Sequence, residues 1–591
     1  MKRLIICLFV ALCCFTSALA VPAYPGLVNY TQPDGSVIQI RIHGDEFCHW
    51  VTDASGNLLE QDEEGYYRPA SSAALQARKA AGAMRRAAAN ARRLAPAKAG
   101  IATGEKHFLV VLVSFSNKSF KVSSPQQAFS NLMNLEGYSA NSGTGSVRDF
   151  YYDNSHGDFT PVFDVVGPYQ VSNTPSYYAG SSGTDNAEEA FYEACQQANS
   201  DVDFSNYDLD GDGIVDMIFF YYAGYNQAEG AANTIWPHQY TFQATDYYNT
   251  KFDGKKLGSY ACTSELKGYS GTNMCGIGTA CHEFGHAMGL PDFYDTDYDN
   301  YNEEAGGLYD YSTMCGGSYN NSGRTPPYFN IEERILLGWQ EPSVIQDFSA
   351  SGPYILTSVS NDVAYKTLTD QDGEYFVYEC RSKTGWDTYI PEAGLIVYHV
   401  DKSSRIVPIY HYNNAGTAVV YDNTQTAASL WNDWQLYNCI NENGAHPCFY
   451  VVPAGDQDNY YYTGSQWAFT GASGRSSFVA TSWNGVESDI QLSSISYSND
   501  QVHLYATVPS STLNYNIIDN PGNGVYSAGS TFNLSLTLSE AQPVSSVVWY
   551  FDDEPVSGTS VTLTTGTHVV EAHLTLTTGE TKILELILRT Q

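Results

Sequence analysis

At 591 residues the chain exceeds what one hydrophobic core normally supports, so about three or four structural units are expected. Its formal charge is −35, and residues 101–591 alone carry 18 basic against 56 acidic side chains, a formal −38. So acidic a chain repels phosphate backbones and anionic lipid surfaces, which excludes nucleic acid and a charged membrane surface as partners.

The N-terminal segment has the pattern of an export signal. Residues 2–3 are basic, residues 4–15 are apolar, and residues 18–20 match a small-residue cleavage site. The apolar run is too short to span a membrane comfortably, and no later run is long enough. We therefore predict a signal peptide over residues 1–20 and a secreted or extracellular protein without a membrane span. A lipoprotein is the weaker alternative, because the residues before its cysteines do not suit lipidation.

A basic, alanine-rich segment ends the first hundred residues of the chain. Residues 71–100 contain thirteen Ala, seven Lys or Arg and no acidic residue. This composition favours a helix, and the Arg pairs at 85–86 and 92–93 offer cleavage sites to trypsin-like proteases. We interpret residues 21–100 as a propeptide with an activation linker. The alternative is a basic helical linker that is never cut.

The next region alternates strand and helix patterns. Two apolar runs predict buried strands, and an amphipathic run and a helix-turn pattern lie between them: strands at 108–115 and 214–224, helices at 188–198 and within 145–159. This alternation predicts an α/β or α+β domain over residues 101–345.

Beyond residue 346 helical periodicity fades. Alternating Val, Ile, Tyr and Thr segments are separated by Gly, Asn and Asp, which predicts mostly β structure. We divide this part into a β-rich domain over 346–510 and an immunoglobulin-like β-sandwich over 511–591. Strands are expected within 532–538, 547–551 and 568–576 of the last domain.

The segment HEFGHAMGLPD contains a predicted metal site. His282 and His286 stand four residues apart, so a helix places both imidazoles on one face, with Glu283 beside them. Gly289 lets the chain leave the helix at positive φ and brings Asp292 back toward the metal. A random chain of this composition would contain only about 0.03 such His-acid-x-x-His motifs.

This constellation suits zinc hydrolysis. His282, His286 and Asp292 supply three protein ligands and leave a position for water. Glu283 can take the proton from that water as it attacks a peptide carbonyl and return it to the leaving amine. Downstream, Met314 lies in a Gly-flanked segment that suits a Met-turn below the metal, although a lone Met more often fills a core.

A second motif, DLDGDGIVD, predicts a calcium loop. Four carboxylates, those of Asp208, Asp210, Asp212 and Asp216, lie within nine residues around two glycines. Such an oxygen-rich loop suits a hard cation, although it lacks the twelfth-position Glu of an EF-hand. The alternative is an acidic surface turn.

Eight cysteines lie beyond the predicted propeptide, and an even number in an exported chain favours disulfides. Cys439 and Cys448 form the most plausible local pair, and a bridge between Cys281 and Cys315 would clamp two walls of the metal site. The alternative for each is a buried thiol. In the predicted propeptide and linker, residues 21–100, which we call the leader, Cys48 could cap the zinc as a thiolate, or could simply belong to a strand.

Several motifs occur in the order typical of one family: GSVRDFYYDNSHG at 145, DLDGDGIVD at 208, HEFGHAMGLPDFYD at 282, STMCGG at 312 and RILLGW at 334, followed by similar segments at 373–387 and 394–401. The chain resembles the immune inhibitor A family of secreted bacterial metalloproteases, which is related to the metzincins. The leader segment HGDEFCHWVTDASG is also similar to leaders of such proteases.

The resemblance implies an α+β metzincin-like catalytic domain followed by β-rich (β-sandwich) C-terminal domains. It also implies a zinc endopeptidase that is made as a zymogen, often stabilised by calcium, with Asp292 as third ligand and Asp295 as runner-up. Where several metzincins have a Tyr two residues after the turn Met, this chain has Gly316, and Tyr319 is the possible substitute.

We therefore expect a secreted, monomeric zinc endopeptidase that acts on proteins or peptides. The alternative from another class is a surface adhesin or glycan-binding protein that uses its Tyr-rich β domains and keeps a vestigial protease. The presence of Glu283 argues against loss of activity.

Overall fold

The computed structural model describes residues 21–90, 101–296, 306–412, 419–433, 439–509, 515–518, 525–538, 544–576 and 581–590, except residues 63, 181–182 and 460. The chain forms two compact units, the first comprising Met1–Phe348 with Gly352–Ala506 and the second Ser349–Ser351 with Thr507–Gln591. Among the helices of the described residues, none has the length and apolar character needed to cross a bilayer.

The leader forms an antiparallel meander followed by a helix. Its strands pair in chain order: β1 (Val28–Thr31), β2 (Val37–Gly44), β3 (His49–Asp53), β4 (Leu58–Gln61) and β5 (Tyr67–Pro69), with α1 at Ser72–Asn90. Along β2, Ile40 and Ile42 are buried while Gln39 and Arg41 face outward, as period-2 patterning requires. The helix favoured by the composition of residues 71–100 is present over Ser72–Asn90, and residues 91–100 lie outside the described part.

A mostly parallel sheet organises the next region. Its strands are β6 (Gly104–Ser114), β7 (Phe159–Gln170), β8 (Ile214–Tyr222), β9 (His238–Thr241), β10 (Lys251–Phe252) and β11 (Lys255–Ser264). They pair in the order β10-β11-β8-β6-β7, with β9 antiparallel to β11. The strands predicted at 108–115 and 214–224 are confirmed as β6 and β8.

The central strand β6 is apolar on both sides, so both faces of the sheet must be covered, and helices pack on each of them. Phe108, Val110 and Leu112 join the core on one face, and Leu109 and Val111 join the core on the other. The helices of the region are α2 (Pro125–Asn134), α3 (Val147–Asn154), α4 (Pro175–Ala179), α5 (Ala187–Ala198), α6 (Gly278–Met288), α7 (Asn320–Gly323) and α8 (Ile331–Leu336). Helix α6 packs on the first face through Phe284, which contacts Phe108 edge-on.

The rest of the first unit is β-rich. Its elements are β12 (Ile345–Asp347), β13 (Gly352–Thr357), β14 (Ala364–Leu368), β15 (Glu374–Arg381), β16 (Gly394–Asp401), β17 (Ile409–Tyr412), β18 (Val419–Asp422), α9 (Ala427–Asn432), β19 (Phe449–Val452), β20 (Phe478–Thr481), β21 (Glu487–Ser498) and β22 (Gln501–Thr507). They form sheets in the orders β12-β14-β15-β16-β19, β13-β22-β21-β20 and β17-β18. The hydrophobic core of α6 continues into this region, since Phe293 packs against Phe449.

The second unit contains only strands among its described residues: β23 (Tyr515–Ile518), β24 (Val525–Tyr526), β25 (Thr531–Asn533), β26 (Ser535–Leu538), β27 (Val544–Phe551), β28 (Glu554–Val556), β29 (Ser560–Thr562), β30 (Thr567–Leu576) and β31 (Thr581–Thr590). A five-stranded sheet, β24-β31-β30-β27-β28, is accompanied by the pairs β23-β26 and β25-β29. The β character predicted for this part is confirmed, and the sandwich arrangement stays a prediction.

Candidate metal centre

The metal motif lies on α6 and on the turn that follows it. Gly289 ends the helix with φ of 113°, and its N–H donates to the carbonyls of Gly285 and His286. A side chain at this φ would be strained, so glycine permits the sharp exit that the sequence predicted. The chain then doubles back, and Asp292 lies beside the helix.

Three side chains converge below this turn. The Nε2 atoms of His282 and His286 lie 3.0 Å apart, and Asp292 Oδ1 lies 3.3 Å from the first and 3.5 Å from the second. All three side chains are buried. Asp295, the runner-up, is buried nearby but is not a member of this group of ligand atoms.

Hydrogen bonds made by the Nδ1 atoms of both histidines fix the tautomers of the two rings. His282 Nδ1 lies 2.9 Å from the Thr313 carbonyl oxygen, and His286 Nδ1 lies 2.8 Å from that of Leu290. Because a carbonyl only accepts, each Nδ1 carries the proton, and each Nε2 turns a lone pair toward the centre. Two such lone pairs and a carboxylate oxygen in mutual contact suit a shared cation, so the donor set fits zinc.

The charges of this group suit metal ligation. Burial lowers the pKa of His286 despite the nearby carboxylate, which keeps the imidazole neutral. Burial acts to raise the pKa of Asp292, but the two histidines hold it well below its usual range. Neutral imidazoles and an ionised carboxylate are the forms that bind a divalent metal.

Glu283 is fully buried beside these ligands. Its Oε1 accepts a hydrogen bond of 2.8 Å from the backbone N–H of Val21, while Oε2 accepts none from the described residues. Burial raises the pKa of Glu283 well above its usual value, and the charges of Glu46 and Asp292 act in the same direction. The carboxyl that the sequence assigns as general base is therefore covered by the leader.

The first described residues of the leader are hydrogen-bonded across the site. The Val21 carbonyl accepts from Trp236 Nε1 at 3.1 Å, and the Pro22 carbonyl accepts from the Tyr319 hydroxyl at 2.7 Å. The Ala23 N–H donates to the Gly44 carbonyl at 2.8 Å. Sequence reasoning missed this contact and Trp236. The only available signal was the predicted cleavage after Ala20, which would make Val21 the first residue of the exported chain.

The predicted turn methionine packs under the helix. Met314 is fully buried, and a Cβ added at Gly285 would lie 2.7 Å from its Sδ. Its neighbour Thr313 supplies the carbonyl that accepts from His282. The turn therefore holds one ligand in orientation and fills the space below the helix.

The predicted calcium loop precedes β8. Asp208, Asp210 and Asp216 bring carboxylate oxygens within 4.8 Å of one another, whereas Asp212 is outside this group and its Oδ1 accepts from the Ile214 N–H. Asp208 Oδ2 accepts from Lys255 Nζ at 2.6 Å, and its buried Oδ1 accepts no hydrogen bond from the described residues.

The expected disulfides are not formed in this structure. Cys281, Cys315 and Cys448 are free thiols, which rules out both the Cys281–Cys315 and the Cys439–Cys448 bridge. Burial raises the pKa of each of these three thiols well above its usual value, as is typical of structural cysteines. Cys48 is buried in the leader and does not belong to the group of metal-ligating atoms, so the thiolate cap is also wrong.

Residues 115–333 match the family model described as the immune inhibitor A peptidase M6 catalytic domain. The pre-pro-metalloprotease PrtV of Vibrio cholerae serotype O1 is 26% identical over 217 residues, which cover 32% of this chain and 23% of PrtV. Immune inhibitor A of Bacillus thuringiensis subsp. alesti is 28% identical over 150 residues, 22% of this chain and 20% of that protein. The match thus spans less than a quarter of either relative.

A solved structure, wild-type OgpA from Akkermansia muciniphila, aligns over 84% of this chain and 94% of that chain with 10% identity. The TM-score of 0.20 is too low to establish a shared fold.

Proposed function

We propose that this protein, in which residues 115–333 form a catalytic domain of the immune inhibitor A peptidase M6 family, is a secreted zinc-dependent endopeptidase made as a zymogen. One observation carries the proposal: the Nε2 atoms of His282 and His286 and the Oδ1 of Asp292 meet, with Glu283 in the same helical turn. No comparison favours the adhesin alternative, because PrtV bears the name of a metalloprotease and the matched family model bears that of a peptidase.

His282, His286 and Asp292 would hold the zinc, which supplies Lewis acidity toward a water molecule and the scissile carbonyl. Glu283 accepts the proton of the attacking water and delivers it to the nitrogen of the leaving amine. The Tyr319 hydroxyl, which donates to the Pro22 carbonyl in this structure, is positioned to donate to a substrate carbonyl in the same way. Tyr319 thus takes the role of the Tyr that several metzincins have at the position of Gly316.

The leader would keep the uncut protein inactive, because it occupies groups that a substrate needs. Val21 occupies one oxygen of Glu283, and Pro22 occupies the Tyr319 hydroxyl. A peptide substrate cannot use either group until the leader leaves. Cleavage within residues 71–105 would release it, since that segment contains the paired arginines of the linker.

The proposed organisation of the chain follows the sequence analysis: a signal peptide over 1–20, a propeptide and linker over 21–100, a metzincin-like catalytic domain over 101–345, a β-rich domain over 346–510 and an immunoglobulin-like β-sandwich over 511–591. We further propose that the protein acts outside the cell as a monomer on protein or peptide substrates.

The latency proposal predicts a slow zymogen. The uncut protein from Val21 onward should hydrolyse casein at least about tenfold more slowly than protein freed of residues 21–100, because the leader competes for the cleft as a tethered ligand. A synthetic VPAYPG peptide, residues 21–26, should inhibit the freed enzyme, whereas a scrambled peptide of the same composition should not. Equal hydrolysis by the cut and uncut proteins would contradict latency.

We also propose that the loop at 208–216 binds calcium. The buried Asp208 Oδ1, which accepts no hydrogen bond from the described residues, supports this proposal, because a desolvated carboxylate oxygen requires a cation or a donor. Lys255 neutralises only the other oxygen of Asp208.

Calcium binding predicts a thermal effect. A calcium-selective chelator, with zinc restored, should lower Tm by about 5 °C, because bound calcium stabilises only the folded state. Asp208→Asn should remove most of this response in differential scanning fluorimetry, while Asp212→Asn should keep it. An unchanged Tm in the wild-type protein would show that the loop is an acidic turn without calcium.

A further inference from the structure

A cavity of about 320 Å³ opens next to the metal centre. Its wall on the catalytic side includes Tyr294, Asp295, Tyr309, Asp310 and Gly316, and we refer to these five residues as the acidic pocket. The opposite wall belongs to the leader and includes Pro22 and Ala23. Pro22 directly follows the residue whose N–H donates to Glu283, so the pocket begins one residue along the leader from its contact with the proposed general base.

A peptide already lies across this pocket. The leader runs over it from Pro22 to Pro25, and Arg41 reaches the same cavity and donates to the Pro25 carbonyl at 3.2 Å. Arg41 is the only Lys or Arg among the residues that line the cavity. His43 also lines it, and burial lowers its pKa to about 4, which leaves it neutral. When the leader leaves, the pocket keeps its two carboxylates and loses its cation.

Asp310 is built to face a ligand. Its carboxylate accepts no hydrogen bond from the described residues, and burial raises its pKa. A Cβ added at Gly316 would lie 2.5 Å from Asp310 Oδ1, so a larger residue at 316 would displace the carboxylate from its present position. The position where several metzincins have a Tyr is thus occupied by a residue that admits Asp310.

The aromatic walls suit a long cationic side chain. Tyr294 and Tyr309 line the cavity, and Tyr309 is held in place by the ring of Trp467, whose centroid lies 4.5 Å away. The aliphatic stem of Lys or Arg packs well on such rings while its charged end reaches a carboxylate.

We propose, on the basis of the proposed peptidase function, that the acidic pocket selects peptide substrates with a Lys or Arg side chain next to the scissile bond. Such substrates include the chain's own linker, where Arg pairs stand at 85–86 and 92–93 in an otherwise acidic protein. Asp310 and Asp295 are the specificity residues, since they supply the charge that the basic side chain meets.

The test uses protein freed of residues 21–100 and two synthetic peptides. The first has the sequence of residues 82–97, GAMRRAAANARRLAPA, and the second has Gln in place of each Arg. We expect kcat/KM to be at least about tenfold higher for the Arg peptide, and Asp310→Asn to reduce this ratio to about threefold or less. Zinc content and the thermal unfolding midpoint of Asp310→Asn report whether the variant is folded and loaded.

The outcomes distinguish failure of the proposed pocket specificity from failure of the proposed peptidase function. Equal cleavage of both peptides by an enzyme that cleaves casein would overturn the pocket and leave the proposed function intact. Absence of cleavage of casein and of both peptides would overturn the proposed function itself. If Asp310→Asn does not fold, the mass-spectrometric cleavage profile of the wild-type enzyme on denatured protein decides: Lys and Arg enriched next to cut bonds supports the pocket, and no enrichment refutes it.

Discussion

Glu283→Ala in leader-free protein is expected to lower kcat/KM for casein-derived peptides by about 10²- to 10⁴-fold, the range typical of a lost general base. The zinc content should stay at one ion per chain, because the variant keeps the three side chains whose ligand atoms converge in the structure. The measurement pairs peptide hydrolysis with elemental analysis of the purified variant. Loss of activity with zinc retained separates proton transfer from metal binding.

Glu341→Ala is the matched control for this experiment. Glu341 is an exposed glutamate at the end of the catalytic region, so its truncation should change neither activity nor zinc content. If Glu283→Ala keeps wild-type hydrolysis, Glu283 is not the general base. If it loses zinc together with activity, the assignment of roles within the helix is wrong.

Asp292→Ala should lose both zinc and activity. The zinc affinity should fall by more than about 100-fold, the upper range for removal of a group that only supports a ligand. In the structure Asp292 Oδ1 lies within 3.5 Å of both imidazole Nε2 atoms, so its loss leaves two neutral donors for a divalent ion. Titration with a chromophoric zinc chelator measures the change.

Asp295→Ala is the matched control for the third ligand, because sequence alone left both aspartates open. It removes a buried carboxylate three residues away that is not part of the converging group. Its zinc affinity should remain within a few fold of the wild-type value, whatever its effect on substrate preference. Zinc loss in Asp295→Ala with retention in Asp292→Ala would reverse the assignment of the third ligand.

The convergence of His282, His286 and Asp292 could be predicted from sequence because its geometry is local. Four residues make slightly more than one helical turn, so the spacing of His282 and His286 alone puts their rings on one face. Gly289 has the positive φ that the pattern required, and Asp292 follows it in the turn that leaves the helix. The strands β6 and β8 could be predicted equally well, since a strand buried on both faces is a continuous apolar run.

The leader contact could not be predicted, because it joins residues 262 positions apart in sequence. No local pattern indicates that Val21 meets Glu283 or that Trp236 holds the Val21 carbonyl. The same holds for Asp310 and Gly316, whose significance depends on a cavity formed by the leader, the turn after α6 and the segment 306–316. Long-range packing decides these contacts, and composition does not encode it.

The disulfide prediction failed for a related reason. An even cysteine count and an export signal predict that bridges are chemically possible, but a bridge also requires Cβ atoms about 4 Å apart in a suitable orientation. Cys281 and Cys315 instead fill the apolar core around α6 as thiols. Four aspartates in the loop at 208–216 likewise predict a cation site, yet the backbone turns Asp212 toward the Ile214 N–H.

The central claim, a zinc endopeptidase whose ligands are His282, His286 and Asp292, is tested most directly by metal removal and restoration in leader-free protein. The expected result is one zinc per chain, loss of casein hydrolysis after dialysis against a strong zinc chelator, and recovery when one equivalent of zinc is added back. Hydrolysis that persists in the metal-free protein, or protein that binds no zinc when freed of its leader, would contradict it.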